Sequence, residues 1–498
     1  MRMSDLDALE AHALRPLVQL FVDEPDRLDR LSHEVAGITF DLSKTHLDAA
    51  LVELFTRMSE TRGFAESRDA LFTGAAVNRS EGRAAEHAAE RGNGSAQAVE
   101  LASARRQRMR ALVDAVEAGA FGPITGILHI GIGGSVLGPA LLVDALGRGT
   151  GGYKVQFLSN IDGQAMDAAA RELDPATTLV VVASKTFTTQ ETLANMTAAL
   201  RWLEAAGVAD PHGRVIAVTA SPEAAVAAGI DETRVLLFAE SVGGRYSLWS
   251  SVGVTAALAL GWDAFEALLE GAGEMDRHFR FAEPDRNVPL LAAFADRLYA
   301  ERLRCQTRAA FAYDERLRLL PVYLQQLEME SNGKSATIDG GPLSAPSAPI
   351  TWGGTGTDAQ HAVFQLLHQG THVVPVEFVA VVEDDDRQDP DHHRLLLLNA
   401  LAQGAALMRG REHEDAARRY PGNRPSTTIL IERLDARSLG ALIAFYEHRT
   451  FANAVLIGNN PFDQFGVELG KAMAREMEEP DAGSLDPSTR ALMDKAGL

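Results

Sequence analysis

The stretch Ile127–Pro139, ILHIGIGGSVLGP, decides how the chain is read. A short apolar run, Ile127–Ile130, gives way to a glycine-rich turn and then to a helical pattern over Ala140–Leu146. A strand that ends in small residues and feeds a helix is the repeating unit of a parallel sheet packed under helices. The unit recurs. Val155–Leu158 precedes a helix over Gln164–Leu173, Leu179–Ala183 precedes SKTFTTQET and a helix over Leu193–Ala205, and Val215–Val218 and Val235–Phe238 supply further strands. The alternation predicts an α/β fold with helices on both faces of the sheet.

Outward from this block the texture changes. Residues 1–118 read as helical, with apolar residues at helical spacing in Leu6–Phe21, Lys44–Arg62 and Ala96–Ala118, and Ser80-Glu81 before an Ala-rich run reads as a helix start. Helices return over Val252–Arg280 and Asn287–Arg304. A second α/β segment runs from Thr307 to Ile457, with strands at Arg308–Tyr313, Val373–Val382, Thr427–Arg433 and, last, Val455–Ile457. The expected organisation is a helical part, 1–118, packed on the second domain; a first α/β domain, 119–285; a second, 286–476; and a loosely held polar tail, 477–498.

Composition limits the function. The 498 residues suffice for two or three domains, and 46% hydrophobic with 23% charged residues is ordinary for a globular protein. A net charge of −21 argues against broad binding to nucleic acid or anionic membrane, yet leaves room for an anion held by a few oriented N–H groups. The one cysteine, Cys305, excludes an internal disulfide and a cysteine zinc framework. The acidic start MRMSDLDALEAHALRP has no apolar core of the signal-peptide kind, and the apolar runs are too short to span a bilayer, so a cytoplasmic soluble protein is expected.

Several segments carry candidate chemistry. In GIGGSVLGP a dinucleotide fingerprint would require glycine at 136, where Val136 stands. That leaves a plain tight turn, or a site where Gly134 and Ser135 admit a phosphate or sugar hydroxyl. Ser184–Thr192 also lies between a strand and a helix. Ser184, Thr186 and Thr189 offer hydroxyls and Lys185 a charge to a phosphate; the alternative is an elaborate N-cap. Arg245 in GGRYS is a solvated cation or a guanidinium aimed at an oxyanion. Gln325–Ser335, QQLEMESNGKS, overlaps the end of a helix that starts near Pro321 and runs to about Glu328. Glu330 there is either a helix end relaxing into a turn or a proton-transferring base, and NGKS is no P-loop because Glu328 occupies the required glycine position. His361 and His368 lie two helical turns apart in WGGTGTDAQHAVFQLLHQGT, with no third residue at a metal-ligand spacing, and His392-His393 reads as a solvated helix start. Gln464 and Lys471 are likewise two turns apart in NNPFDQFGVELGK.

Taken in order, GIGGSVLGP, SKTFTTQET, ESVGGRYSLWSSVG, QQLEMESNGKS, GTDAQHAVFQLLHQGT, HHRLLLLNALAQGAALMRG and NPFDQFGVELGK resemble the glucose-6-phosphate isomerase (phosphoglucose isomerase) family. The resemblance implies two sugar-isomerase-type three-layer α/β/α domains and the reversible conversion of glucose 6-phosphate to fructose 6-phosphate through a cis-enediolate. It implies Glu330 as the base between C1 and C2, His361 as the ring-opening acid/base, Lys471 as its helper at the ring oxygen, and Arg245 as the group that stabilises the enediolate. Gly134, Ser135, Ser184, Lys185, Thr186, Thr189, Gln326 and Gln464 look like substrate and phosphate contacts. It further implies no metal or redox cofactor, and an obligate homodimer in which the histidine comes from the neighbouring subunit. Two segments depart from the usual pattern. Thr357-Asp358-Ala359-Gln360 replaces Thr-Asn-Gly-Gln, and Gln326-Leu327-Glu328-Met329 replaces Gln-Gly-Asp-Met. These put loop shape and substrate breadth in question more than the reaction. A related phosphosugar isomerase that also takes mannose 6-phosphate is the nearest alternative. A sugar-phosphate-binding regulator without catalysis is a second, opposed by the presence of both Glu330 and His361.

Overall fold

The computed structural model describes residues 5–149, 152–343, 345–383, 389–478 and 485–498. The first four residues of the N-terminal segment, and 479–484 of the expected tail, lie outside the described residues. No helix among the described residues is long and apolar enough to cross a membrane.

The N-terminal part is largely helical, but it also folds a hairpin, Ser32–Val35 (β1) and Ile38–Asp41 (β2), which the sequence reading passes over. Ala36 and Gly37 close it with φ of 53° and 72°, the left-handed pair that a two-residue hairpin turn demands. Ser80-Glu81 does not start a helix. Asn78 and Arg83 bridge in antiparallel fashion, so residues 79–82 form a tight loop.

The opening stretch forms Gly126–Ile130 (β3), followed by Lys154–Leu158 (β4), Thr178–Ala183 (β5), Val215–Thr219 (β6) and Val235–Leu237 (β7). They make one five-stranded sheet in the order β4-β3-β5-β6-β7, parallel throughout. Both faces are covered. Along β5, Leu179, Val181 and Ala183 enter one apolar core while Val180 and Val182 enter another, as the two-residue side-chain period requires.

The second sheet joins Thr307–Tyr313 (β8), Ile350–Thr355 (β9), Val376–Val381 (β10) and Ser426–Ile431 (β11) to the hairpin, in the order β1-β2-β11-β10-β8-β9. The four later strands are parallel, and β2 pairs antiparallel to β11. Residues from the N-terminal part thus complete the second sheet. β9 is missed from sequence because its Trp-Gly-Gly interior reads as loop. Val455–Ile457, expected as the last strand, is instead the end of a 22-residue helix, Ala436–Ile457. That helix is buried on nearly every side, so its apolar end carries no amphipathic signature. It crosses the helix Trp262–Phe281 at two glycines: a Cβ at Gly440 would overlap the Leu268 carbonyl, and one at Gly271 the Arg437 carbonyl.

The same helix carries a buried ionic seam. Arg91 grips Asp276 through Nη2 at 2.6 Å and Nε at 3.0 Å, also donates to Glu447, and lies 4.6 Å from the Trp249 ring. Trp249 Nε1 donates to Glu447 at 2.8 Å. The seam pins the far end of the Gly244–Trp249 turn, whose near end holds Arg245.

Candidate active site

Two turns lie at the carboxyl ends of adjacent strands, where open α/β sheets leave a crevice. After β5, the Ser184 hydroxyl accepts the Phe187 N–H at 3.2 Å and lies 3.2 Å from the Thr189 hydroxyl. Phe187 takes a φ of 53° and is buried, which anchors the turn. Thr189 then occupies the N-cap position of the helix Gln190–Ala205 without a side-chain capping bond. Thr186 is exposed and accepts the Thr188 hydroxyl at 2.7 Å. Lys185 Nζ donates to the Glu240 carbonyl at 2.7 Å. Burial, with Arg83 nearby, pushes its pKa down to about 8.

After β3, Gly133–Ser135 makes a single tight turn before the helix Leu137–Leu146. Glycine is required here. Gly133 has a φ of 56°, and a Cβ on it would press on the Gln326 amide at 2.7 Å. A Cβ on Gly134 would overlap the Gly244 carbonyl and the Arg245 backbone. The Ser135 carbonyl accepts the buried His129 ring at 2.8 Å, and that ring also meets Thr255 at 2.7 Å.

Arg245 is buried, and its guanidinium is used on every side. Nε donates to Ser331 at 2.7 Å, Nη1 to Gln464 at 3.0 Å, and Nη2 to the carbonyls of Pro461 and Asp463 at 2.6 and 3.0 Å. Nη1 also lies 3.4 Å from the Glu330 carboxylate. Glu330 closes a wide π-helical turn, Gln325–Glu330, that follows the short helix Leu320–Leu324. Such turns, with one residue more than an α-turn, recur at functional sites. Gln326, Glu330 and Gln464 share the wall of one cleft of about 490 Å³ with Lys334 and Gly466. A larger cavity, about 610 Å³, lies between the 61–79 segment and the end of the central helix, and none of the twelve candidate residues lines it.

Of the candidates, Gln326, Glu330 and Gln464 line that cleft, while the Ser184–Thr189 turn, His361 and Lys471 do not. His361 is exposed on the helix Asp358–Gln369, and Lys471 is exposed on Glu468–Glu478. The next residue back, Gln360, is fixed: it accepts the Tyr313 hydroxyl at 2.8 Å and donates to Asn399 at 3.3 Å. His368 is half-buried and bonded to Gln403 at 2.9 Å. His393, expected to be solvated, is buried and donates to the Val382 carbonyl at 3.0 Å.

Residues 41–493 match the family model described as phosphoglucose isomerase. The chain is 64% identical to the glucose-6-phosphate isomerase of Rhizorhabdus wittichii over 98% of each chain. It is 63% identical to that of Sphingopyxis alaskensis, over 97% of this chain and 96% of the other. The chain belongs to the phosphoglucose isomerase family. Among solved structures, a glucose-6-phosphate isomerase from Chlamydia trachomatis superposes with a TM-score of 0.90 at 31% identity, covering 99% of this chain and 98% of that one.

Within this phosphoglucose isomerase fold, the tertiary structure adds residues that the sequence reading passed over. Lys334, set aside with the P-loop, donates from Nζ to the carbonyls of Ser331, Asn460 and Asp463 at 2.6, 2.8 and 3.1 Å. It ties the turn carrying Glu330 to the loop carrying Gln464. Ser331, fully buried, bridges Arg245 Nε and the Tyr246 hydroxyl, the latter at 2.9 Å. Ser80, in the N-terminal loop, meets the Asp463 carboxylate at 2.6 Å, and Asn460 donates to Asn78 at 2.9 Å. Only the Asn-Arg-Ser-Glu spelling of that loop offered a local cue, and a polar turn is its ordinary meaning.

Proposed function

We propose that the chain interconverts glucose 6-phosphate and fructose 6-phosphate, with Glu330 as the proton-transferring base. The observation that carries the reading is the placement of the Glu330 carboxylate 3.4 Å from the buried Arg245 guanidinium, in a cleft walled by Gln326 and Gln464. In the assignment, Ser184, Lys185, Thr186 and Thr189 hold the phosphate, with the N-terminus of the following helix adding N–H donors. Gly134 and Ser135 let the sugar approach the backbone. His361 and Lys471 exchange protons at the ring oxygen and the C1 hydroxyl, so that the ring opens to the aldehyde.

Glu330 then takes the C2 proton. The electron pair of that C–H bond forms the C1=C2 double bond, and the aldehyde oxygen becomes the enediolate oxyanion. The Arg245 cation stabilises that charge. A proton passes from the C2 hydroxyl to the C1 oxygen, and Glu330 returns its proton to C1, which leaves the C2 ketone. One carboxylate serves both carbons on one face, so no second base is needed.

His361 is assigned to the site of a second copy. It is exposed and remote in contact from Glu330, on a surface where Leu366, Leu395, Leu398 and Leu401 are each at least 43% exposed. Such a cluster on helices is suited to cover by an identical surface.

The test is isotope transfer from glucose 6-phosphate labelled with deuterium at C2. The wild-type chain should move label to C1 and lose part of it to solvent, and Glu330→Gln should do neither. Wild-type-like transfer in that variant would remove Glu330 from the role of base.

A further inference from the structure

We infer that Glu328 is a positioning residue for Glu330: its carboxylate, gripped by Arg308 and Thr351, fixes the wide turn whose other side presents the base to the substrate. The inference rests on the proposed role of Glu330 and asks what holds that side chain in place.

Glu328 and Glu330 are two residues apart on one turn, yet their surroundings are opposite. Glu330 is half-buried and lines the cleft. Glu328 is buried and does not line it. One of its oxygens is held by Arg308 Nη2, and the other accepts the Thr351 hydroxyl at 2.5 Å. Arg308 projects from β8 and Thr351 from β9. Glu328 therefore fastens the turn to two neighbouring strands of the second sheet, with a donor on each oxygen and its side chain away from the cleft.

The fastening continues inward. Arg308 Nη1 lies 3.9 Å from Glu377 on β10, Arg449 donates to Glu377 at 2.7 Å, and Arg449 grips Asp296 at 2.6 and 2.7 Å. Alternating charges thus run from Asp296, through Arg449, Glu377 and Arg308, to Glu328. Arg449, Glu377, Arg308 and Glu328 are buried and Asp296 is half-buried, so losing one partner leaves its neighbour uncompensated. A π-turn departs from regular α-helical hydrogen bonding and needs tertiary contacts to persist. Leu327, fully buried, supplies an apolar anchor beside this ionic one.

The experiment compares wild type, Glu328→Gln and Thr351→Val in steady-state isomerisation of fructose 6-phosphate, with kcat expressed per folded dimer. Glu328→Gln should lower kcat by about 10–10²-fold, the penalty of a base displaced by a fraction of an ångström to an ångström. KM should stay within about twofold of wild type, because the phosphate turn and Arg245 are untouched. The primary isotope effect with C2-deuterated glucose 6-phosphate should rise as proton transfer becomes slower than release. Thr351→Val should move kcat and the isotope effect in the same direction by less, and it decides the matter if Glu328→Gln does not fold. Unchanged kcat and isotope effect in the folded variants would overturn the inference, as would a kcat loss that vanishes once folded protein is counted. If wild type itself fails to isomerise either sugar, the function fails first and the variants are not the cause.

Discussion

Arg245 Nη1 stands 3.4 Å from Glu330 Oε1 and 3.0 Å from Gln464 Oε1. The cation is spent on neutral acceptors at hydrogen-bond distance and meets the carboxylate only at a longer one. The Arg245 side chain is 2% exposed and that of Glu330 23%. A fixed cation beside a less constrained carboxylate suits a base that must reach two adjacent carbons while the charge near it stays put.

Arg245→Lys should lower kcat by about 10²–10³-fold, the loss typical of removing one oxyanion donor. A lysine cannot fork to Ser331, Gln464 and two carbonyls at once. Steady-state kinetics on folded protein, alongside thermal unfolding, separates the catalytic loss from the structural one.

Lys185 gives a pH prediction. Its cation is the form that attracts phosphate, and burial lowers its pKa to about 8. Below that pH the lysine is charged, and above it the charge is progressively lost. kcat/KM, which reports the free enzyme, should therefore fall as pH rises through about 8. In the bound complex the phosphate dianion favours the charged lysine, so kcat should fall at higher pH or not at all. In Lys185→Arg the alkaline limb of kcat/KM should move up, since arginine holds its proton. A limb unmoved by that substitution assigns it to another group.

Gly134→Ala places a methyl group where the Gly244 carbonyl lies. The turns bearing Ser135 and Arg245 must then part. The expected cost is about 1–3 kcal/mol, as for overpacking elsewhere, with kcat/KM falling further than stability predicts. Urea unfolding and kinetics on one preparation measure both. Gly163→Ala, at a position open to solvent with nothing near its Cβ, is the matched control.

The assignment of His361 to the partner's site is checked by mixing two inactive chains. Glu330→Gln and His361→Ala, co-expressed and randomly assorted, should recover about a quarter of wild-type activity, because half the dimers carry one intact shared site. If His361 acts within its own chain, every site in the mixture lacks one group and no activity returns. Leu398→Asp, in the exposed leucine cluster, should shift the protein towards monomer in sedimentation and abolish activity with it.

The sequence by itself determined the first sheet almost strand for strand. In Ile127–Ile130, Leu179–Ala183 and Val215–Val218 each apolar run is short, ends at a turn and feeds a helix, so local spacing suffices. It also determined the chemistry-bearing blocks, because a carboxylate, an arginine and a hydroxyl-rich turn are legible as residue types wherever the chain puts them. It failed where the signal is not local. Val455–Ile457 looks like a strand because the helix containing it is buried all round and has lost its polar face. β9 looks like a loop because Gly353 must be small to lie against β8: a Cβ there would overlap the Ala310 carbonyl.

Tertiary structure shows how the two carboxylates differ: Glu330 lines the cleft and Glu328 does not. Glu328 and Glu330 sit in the same six residues, and nothing in the spelling QQLEMESNGKS separates a structural acid from a cleft-lining one. The difference comes from strands β8 and β9, which bring Arg308 and Thr351 to Glu328, and from the Gly244–Trp249 turn, which brings Arg245 to Glu330. In the opening stretch, GIGGSVLGP, the pair Gly133-Gly134 is likewise explained in part by the close approach of Gln326 and Gly244, more than a hundred residues downstream. Local sequence sets which backbone shapes are available. Contacts between distant segments then set which side chains are buried with their partners and which are left facing the cleft.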